Sequence, residues 1–596
     1  MTDGSPMEGG IEKSVPTSEV PEVSVRSKLG LAMSGGGFRA AFFHIGVLAQ
    51  MARLGLLRHV EVISTVSGGS IVGALYYLHV KRLMEEKSDP EITDQDYLTI
   101  MARLEVQFLQ GVQRNVRLRT FLNPFKNLRM AFADYSRTDH IGELYDEYFY
   151  RDVFRPEKAG PIEMRELKIQ PKDGKPDFSP LSENEERIHK VPILLINATT
   201  LNTGHNWRFE AVRMGEPPLD GSVQQEIDKK ARLRRAPTYD DIIPKQRNIE
   251  LGLAVAASAC VPALFTPLAI SDLYPCGIRV QLVDGGVHDN QGVEGLLDMQ
   301  CTRLVISDAA GQMTDEAEPS TRTIKVITRS NAILMDRVRE EELCTTLQTP
   351  GLEVAFMHLR KGLYGKAVSW IGPDGKPAED IKVERPPSSS SRSFGVAEEV
   401  QALLSSIRTD LDSFTDVEAY SLMLDGYKMS EAELQQAAAT KPLIAPVATC
   451  PQWRFLEIEP FLLKPSREYL RQLKAASQIF LKIYRLSWPV TIVTAAAVLV
   501  LAWTLWSSFS DELVTWLQST VTVGYLLSMA GMLIVGLLAP FLTRTLTSLQ
   551  FLRAPSELLF RFIARAVLPA LGSIFVALHL MIFDRLFLRR GKLKNL

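Results

Sequence analysis

A chain of 596 residues, 46% of them hydrophobic, has apolar material for one large core and length left over for a second unit. Its formal net charge of −2 conceals an asymmetry: from Pro460 onward fifteen Lys and Arg face five Asp and Glu, so this tail carries +10 and the body before it −12. An acidic body argues against nucleic-acid binding, and five scattered cysteines without a C-x-x-C pair argue against a disulfide framework or a zinc site.

The first residues, "MTDGSPMEGGIEKSVPTSEVPEVS", are polar and rich in Gly, Pro and Ser, and are expected to form a disordered leader over 1–27 rather than a secretion signal. From Lys28 apolar runs bounded by turn residues alternate with helical patterns. "KLGLAMS", "VEVISTVS", "VPILLINATT", "RVQLVDGG", "RLVISDAA" and "TIKVITRS" read as strands, and their alternation with helices predicts an α/β fold with a mainly parallel sheet. Ile71 to Arg155 reads as largely helical cover for that sheet. Pro171 to Arg187 and Glu216 to Arg247 read as loops or insertions, and "RPPSSSSRS" (Arg385 to Ser393) as a flexible loop.

After about Ser487 the composition changes abruptly. Trp488 to Ser507 and Leu513 to Thr543 contain no charge, and Ala566 to Phe583 has only His579 as an ionisable group, so at least two transmembrane segments are expected. Lys464, Arg467, Arg471, Lys474, Lys482 and Arg485 precede the first segment, which by the positive-inside rule places the body on the cytoplasmic side. Arg585, Arg589, Arg590, Lys592 and Lys594 mark the C-terminus as cytoplasmic too. The third segment, interrupted by Pro569 and Gly572, is therefore expected to be re-entrant or packed against the first two.

In "LAMSGGGFRAAFFHIGVL" a strand, three glycines and a helix aim free backbone N–H groups at an anion. Gly35, Gly37 and Ala40 fit the dinucleotide pattern G-x-G-x-x-A, but the next strand does not end in an acidic residue. It ends in "TVSGGS", which is similar to the nucleophile elbow G-x-S-x-G, with Ser67 between strand and helix. A serine attacking an acyl carbonyl needs preorganised donors for the oxyanion, and bare N–H groups of Gly36 and Gly37 provide them. Only one strand precedes the glycines, which argues against the α/β-hydrolase fold. His288 is the histidine nearest a strand-end motif, whereas Asp284, at the end of "VQLVD" and before Gly285 and Gly286, is placed to accept a serine proton directly.

Taken together, S-G-G-G-F-R-A, T-V-S-G-G-S and D-G-G resemble the patatin-like phospholipase family, and the resemblance continues through "INATTLNTGHNWRFE", "AVAASACVPALFTPL" and "FTDVEAYSLMLDGY", from about Lys28 to Leu434. It implies a three-layer α/β fold with a mainly parallel sheet, here followed by a C-terminal transmembrane helical region, and a Ser-Asp dyad without histidine. Carried over by position, Ser67 is the nucleophile, Asp284 the base, and Gly35, Gly36, Gly37 and Arg39 the oxyanion loop. Ser34 stands where many members have Asp, and Thr65 where most have Gly. The implied activity is hydrolysis of acyl esters of a membrane phospholipid or lysophospholipid through an acyl-enzyme, with no cofactor and no metal. "GALYYLHV" and "VPALFTPL" are candidate walls of an acyl pocket. The rival reading is an inactive patatin-like membrane protein that binds lipid or recruits partners. The expected organisation is leader 1–27, patatin-like catalytic domain 28–460, basic juxtamembrane segment 461–487 and transmembrane domain 488–596.

Overall fold

A computed structural model describes residues 27–518 and 568–596, apart from 131–134, 152–153, 155–159, 219–231, 364–369, 377–391, 440–452 and positions 263, 312 and 314. Almost all of the expected leader, most of the Arg385 to Ser393 tract and nearly all of the second apolar segment therefore lie outside the described residues.

Among the described residues, nine strands form one sheet. Its centre is parallel, in the order β3 (Ile193–Thr200), β2 (Val60–Val66), β1 (Leu29–Met33), β8 (Arg303–Asp308), β9 (Glu353–His358). Antiparallel strands extend it beyond β3: β4 (Asn206–Phe209) and β5 (Met214–Gly215) along one path, β7 (Val280–Asp284) and β6 (Leu268–Ile270) along another. The strand order reverses between β1 and β8, and such a switch point opens a crevice at the carboxyl ends of the strands.

Both faces of the sheet are apolar, as a parallel sheet requires. Leu31, Met33, Ile63, Leu194, Ile196 and Val305 face one large core, while the alternating Ala32, Val62, Leu195, Leu304 and Ile306 face a smaller one with Val293 and Leu296. Helix α1 (Gly37–Arg53) is buried along nearly its whole length, as its apolar circumference demands. It runs between the sheet and the long helix Asp416–Ala439, the element that carries "FTDVEAYSLMLDGY". Helices α2 (Gly68–Glu86) and α3 (Asp94–Val112) complete that layer and account for most of the helical cover expected after Ile71.

One predicted strand is a helix. "TIKVITRS" opens the helix Thr323–Gln348, because the residues that follow it, rich in Leu, Arg and Glu and free of Gly and Pro, carry a helical ladder through the short β-branched run. Beyond it lies β9, which was not expected.

Among the described residues no helix is long and apolar enough to cross a membrane. The first apolar segment begins the helix Trp488–Gln518, whose Trp488, Val493, Leu499 and Trp503 are each about two-thirds exposed or more. The described part of the third segment departs from expectation by packing on the body itself: the Ser573 hydroxyl donates to Phe121 O (2.7 Å) beside the short helix Pro124–Arg129. The tail behind it stays docked. Val417 N–H donates to Gly591 O (3.1 Å) and Lys592 Nζ to Asp416 (2.9 Å).

Candidate active site

Two strand pairings bring the site together. In β2–β3 Val66 lies opposite Asn197, and in β3–β7 Ala198 lies opposite Asp284, so the residue following Val66 and the last residue of β7 end up side by side. The Ser67 hydroxyl faces the Asp284 carboxylate closely enough to favour its charged form. Both residues are 7% exposed, enough for an opening onto solvent but not for a hydrated carboxylate. Asp284 also accepts from Gly286 N–H (2.8 Å). Burial nevertheless dominates over the Gly286 bond and the nearby Ser67 hydroxyl, and pushes its pKa up to about 6.

Ser67 has φ 50° and ψ −115°, a conformation that costs a non-glycine residue about 1 to 3 kcal/mol and persists only when the surroundings enforce it. Those surroundings are visible. Ser67 N–H donates to Ser258 Oγ (3.0 Å), and the Ser258 hydroxyl donates to Asn197 O (2.5 Å). Ser70 bridges the Thr65 and Ser258 hydroxyls at 3.0 and 2.8 Å. Thr65, in the place where most family members have Gly, remains an ordinary strand residue: its hydroxyl donates to Leu195 O (2.9 Å) and its methyl faces Gly73, where a Cβ would lie 2.7 Å away.

The glycine loop lies across the elbow. A Cβ on Gly68 would stand 2.1 Å from Gly37 O, so only glycine permits this approach. Gly36 and Gly37 have φ of 132° and 60°, and start α1 with the N–H groups that a helix cannot satisfy internally. The other two expected members of the oxyanion loop are occupied elsewhere. Gly35 N–H already donates to Asn290 O (3.0 Å). Arg39, one helical step further on, sends its guanidinium to Ile407 O (2.8 Å) and Ala309 O (2.9 Å); burial lowers its pKa to about 10, and it braces the loop rather than facing Ser67. Ser34 belongs to the same bracing: its hydroxyl accepts from Ala309 N–H (3.0 Å), and its carbonyl lies 3.0 Å from His44 Nε2.

His288 does not join the pair. Its Nε2 lies 3.2 Å from Glu294, and although burial disfavours the imidazolium, that carboxylate raises its pKa above the ordinary value. Three residues escaped the sequence reading: Ser258, Asn290 and Tyr145. The side chain of Asn290 packs against both Gly35 and Gly286, joining the glycine loop to the aspartate turn. Tyr145 is fully buried, its hydroxyl has no hydrogen-bond partner among the described residues, and burial, aided by the Asp284 charge, lifts its pKa above the usual phenol range. No group of three or more His, Cys, Asp and Glu suited to a metal ion occurs among the described residues.

Residues 31–297 match the sequence profile of the family described as patatin-like phospholipase. The chain carries a patatin-like phospholipase domain. The match spans β1 to the helix Val293–Asp298 and includes Ser67, Asp284 and the glycine loop; it ends well short of Leu434. No curated protein matches this sequence. Among solved structures, human GIVD cytosolic phospholipase A2 bound to methyl gamma-linolenyl fluorophosphonate and terbium chloride is 12% identical, with 70% of this chain and 59% of that chain covered and a TM-score of 0.35. VipD from Legionella pneumophila is 14% identical, with coverages of 69% and 67% and a TM-score of 0.26. The chain thus spans 59% of the length of the human structure it matches.

Proposed function

We propose that this chain is a membrane-anchored serine lipid acyl hydrolase acting through Ser67 and Asp284. The observation that carries this reading is the placement of the Ser67 hydroxyl beside a buried carboxylate, at a strained elbow against which Gly37 packs. Asp284 accepts the Ser67 proton as Oγ attacks the ester carbonyl, and the two amides receive the developing oxyanion. The proton then passes to the departing alcohol oxygen and leaves an acyl-enzyme. Asp284 next takes a proton from water, the hydroxide attacks the acyl carbon, and the fatty acid departs as Ser67 regains its proton.

The favoured substrate is a glycerophospholipid or lysophospholipid. Of the two candidate pocket walls, "GALYYLHV" is consumed by the core, whereas Val261 and Leu264 stay exposed next to Cys260, whose carbonyl holds Asp284 N–H (2.9 Å). The exposed apolar side chains of Trp488, Val493, Leu499 and Trp503 support attachment to a bilayer, and the basic residues ahead of Trp488 favour the body on the cytoplasmic side. The rival, an inactive lipid-binding domain, has no observation in its favour.

A fluorophosphonate is expected to label the purified protein at Ser67 alone, located by peptide mass; a stoichiometric adduct at another residue, with Ser67 free, sinks the assignment. Since Asp284 acts as a base, kcat/KM for a soluble ester should rise with pH through about 6 and then level off. A profile flat from pH 5 to 8 would remove Asp284 from that role. The docked tail gives a third expectation. A cysteine replacing Asn595 should resist an impermeant reagent added outside intact cells, and its modification there would overturn the cytoplasmic placement of the C-terminus.

A further inference from the structure

Behind the glycine loop the chain meets its own C-terminal third. Phe38 N–H donates to Asp410 O (3.0 Å), and a Cβ on Gly37 would lie 2.7 Å from that same oxygen. The stretch Arg408 to Thr415 is thus the seat of Gly37 and the start of α1, while Gly36 packs against Ala309, and Arg39 grips the near end of the stretch through Ile407 O.

This seat is held by buried charges. Arg408 donates through Nε to both Asp412 oxygens (2.8 and 3.0 Å), through Nη1 to Glu418 (2.5 Å) and through Nη2 to Ser413 O (2.8 Å). Lys482 Nζ donates to Asp412 (2.7 Å) and to Ser413 O (3.0 Å). Asp410 pairs with Arg117, and the Ser413 hydroxyl donates to Asp584. Burial alone would raise the Asp412 pKa, but Arg408 and Lys482 together hold it below the ordinary value. A cavity of about 90 Å³ beside this cluster is walled by Phe480, ahead of the first apolar segment, and by Phe575 and Phe583 of the third.

The positions of the two outer partners matter. Lys482 lies just ahead of Trp488, where the first apolar segment begins, and Asp584 directly follows Phe583, where the third ends. Both ends of the membrane-directed region therefore close on the loop that seats Gly37 and the start of α1.

We infer that Lys482 is a positioning residue for the active site, one that ties the anchor to the oxyanion loop through Asp412 and the Arg408 to Thr415 seat. The inference rests on the serine hydrolase reading. Lys482 has no contact with Ser67 or Asp284 in the structure and acts through the seat. Without Lys482, Arg408 alone faces two buried carboxylates, Asp412 and Glu418, and the excess buried charge drives the loop to shift towards water. Oxyanion donors lose their effect when displaced by about 1 Å.

The test uses the full chain in detergent micelles, with Lys482→Met, Lys482→Arg and a control, Asp89→Asn. Asp89 is also buried and accepts from Ile188 and His189 N–H, but it follows the far end of α2 from Ser67. Hydrogen exchange of the peptide Leu31 to Phe42 is read by mass spectrometry, beside kcat and KM for a soluble short-chain ester and the thermal midpoint. Lys482→Met should speed exchange in that peptide and lower kcat, each about tenfold, with KM unchanged; a tenfold loss is in the range for misplaced catalytic groups. Lys482→Arg should restore most of both, and Asp89→Asn should lower the midpoint without either effect. Wild-type exchange over Leu31 to Phe42 in Lys482→Met, with faster exchange in the 408–415 stretch, overturns the coupling. So does an Asp89→Asn variant that reproduces both changes, because the effect would then be global destabilisation. If the wild-type chain turns over no ester, the hydrolase reading falls while the exchange arm still decides the coupling.

Discussion

Ser67→Ala should abolish ester hydrolysis and fluorophosphonate capture together. The expected fall in kcat is on the order of 10⁴ to 10⁶, the range seen when a serine nucleophile is removed and only binding and oxyanion stabilisation remain. The fold should survive, because Ser67 is held through its backbone N–H to Ser258, which alanine keeps. A companion variant makes the result specific. Ser67→Gly removes the nucleophile and also relieves the strain at φ 50°, so it should be as inactive as the alanine variant yet more stable by about 1 to 3 kcal/mol. Normal turnover by purified Ser67→Ala would end the assignment, and a destabilised Ser67→Gly would show that the elbow is not under strain.

Asp284→Asn carries the second large effect, in which activity and stability move in opposite directions. Asparagine cannot take the Ser67 proton, so activity should drop by several orders of magnitude. The stability argument follows from burial. The Asp284 pKa rises from an ordinary 3.8 to about 6 in the folded chain, so its favourable contribution is complete below pH 3.8 and is lost as pH rises through 6. Above that, folding must keep a carboxylate charged in a site 7% exposed, at a cost of up to about 3 kcal/mol for a shift of about two units. The asparagine side chain bears no such charge and can still accept from Gly286 N–H. Denaturant midpoints should therefore be similar at pH 4, with the variant the more stable at pH 8. A variant less stable than wild type at pH 8 contradicts the picture of a carboxylate held charged against its solvation.

The alternation of apolar strands and helices was enough to predict the parallel sheet, and Ser67, Asp284 and the Gly36–Gly37 turn stood out because each lies at a strand end next to glycine. What the sequence concealed was tertiary. Gly35 and Arg39 read as oxyanion residues because the motif is local, whereas their partners, Asn290, Ala309 and Ile407, arrive from distant strands and loops. Ser258 was hidden for the same reason: nothing near "AVAAS" indicates that its hydroxyl will hold Ser67 N–H. The misread of "TIKVITRS" has a different origin. A short β-branched alternation cannot be told from a strand by period alone, and the decision lies with the helix formers downstream.

The register of β3 against its two neighbours has a bearing on how the protein comes into being. Ser67 leaves the ribosome long before Asp284, and until β7 has paired with β3, with Ala198 opposite Asp284, the serine has no base and the elbow no counterpart. A slip of β7 by a single residue would turn its carboxylate to the other face of the sheet. On the proposed dyad mechanism the nascent N-terminal portion is therefore without its base, and ester cleavage must wait until a strand made much later in translation has locked into place.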